Sequence, residues 1–383
     1  MLRRTFFKSA IFTSLTTLTP AWTISVLAAD DKKPEAAKEP AKAPAPKVEV
    51  CFCLDTTGSM GGLIEGAKQK IWAICNQIAG GKPSPDVKVG LVAFRDKGDE
   101  YITKVFDLSE DLDAIHGHLK GFKAAGGGDG PEAVNQALDD AVNKMKWSAG
   151  DDVLRIVFLV GDAPPHMDYK DDVKYPVTCE KAARQGIIIN TVQCGKDLQC
   201  QKHWQDIAGK SEGQFVQIAQ DGGVVAVATP FDKRLGEING EIAKTTVVFG
   251  DRETQQAGLG KADEAVKLAA PAAAERAAFN AKKAQNASYD LLDAVKQNRV
   301  KLEDVKKEEL PENLQKMTLR ERKDHLAKLD AQRTELQKEA LELDKKRQDF
   351  IKEKLAETKG KDGFDQQVLD MLRKQAKKAK ITY

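Results

Sequence analysis

Aromatic side chains are scarce in this chain of 383 residues, only 6% of the total, and no basic run carries them interleaved for stacking on bases. Net charge is equally slight. Sixty basic residues against 58 acidic ones leave +2, too weak a field to attract or repel a polyanion. Both observations disfavour nucleic-acid binding. Beyond the first residues no apolar run approaches the length of a membrane span. The six cysteines show neither C-x-x-C nor zinc-ligand spacing. Ser59 lacks the G-x-S-x-G elbow that would present it as a nucleophile.

The amino-terminal segment is a targeting signal by composition. Arg3 and Arg4 with Phe6 two places on resemble the bacterial twin-arginine export signal, and an apolar, Thr-rich stretch leads to a small-residue cleavage site at Ala28 or Ala29. A Sec signal or an uncleaved anchor is the alternative. The expected segments are a signal over 1–29 and a Pro-, Ala- and Lys-rich tether over 30–47 that holds no large apolar residue. Export implies an oxidising compartment, periplasmic or extracellular. There the spacing of Cys194 and Cys200 about a short polar loop permits a local disulfide, whereas Cys51, Cys53 and Cys75 read as small buried apolar side chains.

The chain is organised around residues 48–62, VEVCFCLDTTGSMGG. Val48, Val50, Phe52 and Leu54 alternate with Glu49, Cys51 and Cys53 as in a central strand, and from Gly61 onward apolar residues recur at helical spacing. The turn between them lies where ligands bind in an α/β sheet. Asp55, Thr57 and Ser59 occupy alternate positions in that turn, so their oxygens can converge on a hard cation, Mg²⁺, Ca²⁺ or Mn²⁺. An Asx or Ser turn capping the helix is the plain alternative.

This D-x-T-x-S pattern resembles the metal-ion-dependent adhesion site of the von Willebrand factor A family. Two later stretches extend the resemblance: FKAAGGGDGPEAVNQAL at 122–138, a glycine-rich turn before a helix, and RIVFLVGDAPPH at 155–166, an apolar strand ending in Asp162. The GGDGPE and GDAPPH motifs look most like the A-domains of hemicentin and of the atypical alpha-kinases, and the likeness spans about 47–250. It implies that Asp162 joins the metal group and that Asp129, with Gly128 as the alternative register, takes the place usually held by Thr. A third aspartate against a divalent ion would hold the metal more firmly and reduce its pull on a partner's carboxylate. Glu132 reads as a first-turn acid favoured by the helix dipole or as a group behind the ligands, His166 as a loop histidine, and Asp96 and Asp99 as solvated loop acids.

The remaining pattern predicts an α/β domain over 48–250, a doubly wound and mostly parallel sheet of about six strands with helices on both faces. Strands are expected at 87–94, 101–108, 153–160, 187–192 and 214–218, and helices at 112–122, 131–145, 171–185, 203–210 and 222–244. From about 261 to 383 the composition turns to helix formers, with helices at 262–283, 287–307, 319–357 and after Gly363. Leu329, Leu336, Leu343 and Phe350 repeat every seven residues, but the companion seam holds Arg333, Ala340 and Arg347. An intramolecular hairpin and a dimeric coiled coil both satisfy that half-formed heptad.

The resemblance implies a binding device and no enzyme: an exported module that captures a protein or envelope ligand, through an acidic side chain in the family's usual mode, with a tail able to oligomerise it. The alternatives are a Mg²⁺-dependent phosphatase of haloacid-dehalogenase type, with Asp55 as nucleophile, and a structural scaffold acting through its helical tail.

Overall fold

The computed structural model describes residues 45–128, 130–223, 227–283, 287–357 and 363–383. The signal motif Arg3, Arg4 and Phe6, the tether as far as residue 44, and Asp129 all lie outside the described residues.

Six strands form one sheet: β1 (Lys47–Asp55), β2 (Asp86–Phe94), β3 (Thr103–Ser109), β4 (Val153–Gly161), β5 (Ile187–Cys194) and β6 (Phe215–Ile218), in the order β3-β2-β1-β4-β5-β6. All neighbours are parallel except β2 and β3. In register, Phe52 lies beside Leu91 on one side and Phe158 on the other. The expected doubly wound sheet with one antiparallel edge is the observed one. Its reversal of strand order falls at β1, between β2 and β4, so a crevice opens at the carboxyl end of β1 and β4.

The helices that follow are α1 (Gly61–Ala79), α2 (Leu112–Lys120), α3 (Val134–Asn143), α4 (Tyr175–Arg184) and α5 (Leu198–Lys210). Side-chain alternation along β1 sends Val48, Val50, Phe52 and Leu54 to a core shared with α1 and α2, and Cys51 and Cys53 to a second core shared with α3, α4 and α5. All six cysteines carry free thiols. The bridge expected between Cys194 and Cys200 is therefore not formed. Its physical obstacle is the sheet, because Cys194 packs into the first core and Cys200 into the second. Burial pushes the Cys75 and Cys179 thiols up to about 12, so they act as apolar filling.

After the sheet come α6 (Asp232–Lys244), α7 (Arg252–Val266), α8 (Ala270–Lys282), α9 (Leu291–Lys296), α10 (Glu312–Gln315), α11 (Leu319–Glu357) and α12 (Phe364–Ala376). The helix expected at 262–283 is in fact α7 and α8 with a break between them, and that expected at 287–307 is the short α9 followed by 3₁₀ turns. The described residues from 45 onward form one compact unit, so the change of composition near 261 is not a change of packing. α12 closes the first core: Phe364, Val368, Met371 and Leu372 join it, and the Phe364 ring lies 6.2 Å from that of Phe52. Gln375 and Asn190 exchange two buried side-chain hydrogen bonds of 2.8 and 2.9 Å.

The half-formed heptad of α11 is explained by what it faces. Leu336 and Ala340 pack with Leu235, Ile238 and Ile242 of α6 and with Ala274 and Ala277 of α8, within the same chain. The charges in the seam are buried and paired. Arg333 reaches Asp290 and Asp293, and Arg347 reaches Asp232 and Glu275. Hydrophobic periodicity alone undercounts such a face, since the arginine stems and forks occupy core positions.

Candidate functional site at the carboxyl edge of the sheet

Asp55 ends β1 with 1% of its surface exposed. Its Oδ1 accepts hydrogen bonds from the Thr57 backbone N–H at 2.8 Å and the Thr57 hydroxyl at 2.6 Å. Among the described residues its Oδ2 is buried and has no partner in hydrogen-bond geometry; the Asp162 backbone N–H exerts only a weak downward pull on the acid. Burial pushes the Asp55 carboxyl up to about 7, the Thr57 bonds opposing it and the Asp162 charge adding to it. The Ser59 hydroxyl lies 3.4 Å from that of Thr57 and is exposed.

Three neighbouring loops frame this turn. The Gly58 N–H donates to the Gly126 carbonyl at 3.2 Å, which ties the Asp55 turn to the glycine-rich loop. Gly126 and Gly127 sit at φ +79 and +80, and a Cβ on Gly126 would fall 2.3 Å from Asp99 Oδ1, so only glycine fits. Asp162 follows β4, where its Oδ2 accepts from Gln220 Nε2 at 2.5 Å. The preceding Gly161 leaves room for Asp55, since a Cβ there would lie 2.9 Å from Asp55 Cβ and 3.0 Å from Oδ2. A cavity of about 380 Å³ opens over the cluster, lined among others by Thr57, Ser59, Gly127, Glu132, Asp162 and Asp197.

The structure thus brings Asp55, Thr57, Ser59 and Asp162 to one edge. Among the described residues no three of His, Cys, Asp and Glu gather closely enough to hold a metal by themselves. The donor set nonetheless suits a hard cation: an orphaned buried carboxylate oxygen, two hydroxyls and a second carboxylate, all oxygen.

Three expectations change. α3 begins at Val134, so Glu132 is not a first-turn acid; Pro131 and Glu132 form a short bridge to the loop after β4, with Glu132 N–H donating to Pro164 O and His166 N–H to Glu132 O. Glu132 is 3% exposed, and its carboxyl is pushed up to about 9 by burial and then by the charges of Asp55, Asp96, Asp99 and Asp162. Asp96 is buried, not solvated: it accepts from the Tyr169 hydroxyl at 2.7 Å and lies 3.4 Å from His166 Nε2. Asp99, half-buried, accepts from the Gly127 N–H at 3.1 Å. His166 stacks on Tyr169 at 4.0 Å with Nδ1 2.8 Å from Asp168, and braces the loop from outside the cavity lining. Periodicity held no signal for these inward turns, because they depend on pairing between loops far apart in sequence.

Among the described residues no helix is long and apolar enough to cross a membrane. Curated relatives include von Willebrand factor A domain-containing protein 7 of Rattus norvegicus, 33% identical over 144 residues, which are 38% of this chain and 15% of that protein. An ariadne-like RING finger protein of Acanthamoeba polyphaga mimivirus is 28% identical over 124 residues, 31% of this chain and 11% of that one. The chain therefore spans only a small part of the curated relatives it matches. Solved structures similar to it include the conserved hypothetical protein BatB of Bacteroides thetaiotaomicron, at 17% identity and TM-score 0.34 over 45% of this chain and 90% of that one. The SpRpn10 VWA domain matches at 15% identity and TM-score 0.35, over 46% and 89% of the two chains. The family model described as von Willebrand factor A domain matches residues 49–230, the segment that builds the sheet and the crevice, and that segment is a von Willebrand factor A domain.

Proposed function

We propose that the chain captures a protein or cell-envelope ligand through a divalent cation, Mg²⁺ or else Ca²⁺ or Mn²⁺, held by Asp55, Thr57, Ser59 and Asp162. Domains of this family serve as interaction modules, and the metal dependence is this reading's own addition. One observation carries it: among the described residues Asp55 Oδ2 is buried without a partner in hydrogen-bond geometry, while the charge of Asp162 acts on the same carboxyl. A buried carboxylate without a donor costs several kcal/mol, and a cation would remove that cost. Asp129 is a further candidate ligand from its place in GGGDGPE, the motif that aligns this domain with the hemicentin and alpha-kinase type. We include delivery out of the cytoplasm in this reading, on the strength of the Arg3-Arg4-x-Phe6 leader.

The cation, when bound, supplies an open coordination position for an oxygen of the partner. This chain's own residues do the positioning. Thr57 holds Asp55 by two bonds, Gln220 orients Asp162, and Gly58 with Gly126 fixes the loop between them. Phosphatase chemistry is disfavoured, because Asp55 is sequestered under Gly161 and engaged by Thr57, where an attacking carboxylate must be open to substrate. Calorimetric titration of Mg²⁺, Ca²⁺ and Mn²⁺ into wild type and Asp55→Ala tests the cation; capture from envelope extract with and without chelator tests the partner. Equal cation binding by both proteins would remove the site from this location.

A further inference from the structure

Glu132 has no role in that reading, yet the fold places it in the wall of the same cavity as Thr57, Ser59 and Asp162. Its Oε1 and the Thr57 Cβ lie 3.2 and 3.1 Å from one point, the position a Cβ on Gly127 would take. The residue is 3% exposed and lines the cavity together with Thr57, Ser59 and Asp162. Among the described residues its Oε2 is buried and has no hydrogen-bond partner. Two backbone hydrogen bonds to the loop after β4, at 2.9 and 3.1 Å, hold the residue in that inward register. Native interiors rarely keep an unpaired carboxylate oxygen, and among the described residues Asp55 Oδ2 is another. Among the described residues nothing basic lines the cavity to pair with Glu132.

We propose that Glu132 is a further ligand of the cation, an intrachain carboxylate that binds the metal from the wall of the crevice nearest Thr57. The inference rests on the cation reading above, and its test separates the two. Glu132→Gln keeps the shape of the side chain and its two backbone bonds while removing the anionic donor. Glu132→Ala vacates the position. Mn²⁺ affinity is measured by titration, and bound water by the proton relaxation of the Mn²⁺ complex, on the full chain. We expect Glu132→Gln to lose about tenfold or more in Mn²⁺ affinity. Glu132→Ala, loaded at high Mn²⁺, should show greater relaxation enhancement than wild type, because water enters the vacated position. The bound-water readout separates a ligand from a merely structural group, since a structural role would lower Mn²⁺ affinity without adding water to the bound ion. If wild type binds Mn²⁺ and both variants match it in affinity and bound water, the inference is overturned and the cation reading stands. If wild type binds no Mn²⁺, Mg²⁺ or Ca²⁺, both are overturned.

Discussion

Replacing Asp55 by Asn should stabilise the metal-free protein at high pH and destabilise it at low pH. The carboxyl is 1% exposed and its folded value is raised from 3.8 to about 7. An acid raised in this way favours the fold only while it keeps its proton. Stability therefore falls as pH rises from about 4 through about 7, by roughly 4 kcal/mol at about 1.4 kcal/mol per pH unit. Asn keeps an oxygen for the Thr57 N–H and hydroxyl bonds. Its amide, however, places donors where Oδ2 has no partner, at a cost of about 1–3 kcal/mol that does not vary with pH. At pH 3.5, where wild type still keeps nearly all of that stability, the variant should be the weaker protein by about that amount; at pH 8 in chelator it should be stronger by about 1–3 kcal/mol. Urea unfolding of both proteins at the two pH values reads the difference from the midpoints. Mg²⁺ at a thousand times its Kd should then reverse the order at pH 8, since it adds about 4.1 kcal/mol to wild type alone. A variant that is weaker by the same amount at both pH values would refute the reasoning, because Asp55 would then carry no buried charge.

The other predictions concern packing. Gly161→Ala should push the Asp55 carboxylate out of place, with a strain cost of about 1–3 kcal/mol and a loss of Mg²⁺ affinity on titration, since the new Cβ would stand 2.9 Å from Asp55 Cβ. Phe364→Ala should cost about 3–5 kcal/mol in urea unfolding, because its ring is 1% exposed within the first core. Arg347→Ala should cost about 3–5 kcal/mol in the same assay by leaving Asp232 and Glu275 buried without their cation; a value near zero would mean that the α11 interface does not depend on the pair.

Removing residues 261–383 would be an unsound way to isolate the domain. α12 supplies Phe364, Val368 and Leu372 to the core under β1, and the Asn190–Gln375 pair would be broken with them. Shorter changes at α11 leave that core intact and are the better probe of the helical region.

Strand alternation, the Asp-x-Thr-x-Ser turn and the apolar run ending in Gly161-Asp162 were legible in the amino-acid order, because each depends on neighbours a few residues apart. The sheet, its parallel sense and its antiparallel edge follow from such local pattern together with the connection rules. Long-range pairing decided the rest. Glu132 turns inward because its backbone bonds to Pro164 and His166, thirty or so residues away, and Asp96 is buried because Tyr169 and His166 close over it. The same holds for α12, whose apolar stripe is readable but whose berth beneath β1, more than three hundred residues earlier in the chain, is not. The arginines of α11 look like solvent residues in the sequence and become core residues only when Asp232, Glu275, Asp290 and Asp293 converge on them. Local periodicity determines which face of an element is apolar; which face it meets, and which buried charge finds its partner, is settled only when the chain closes on itself.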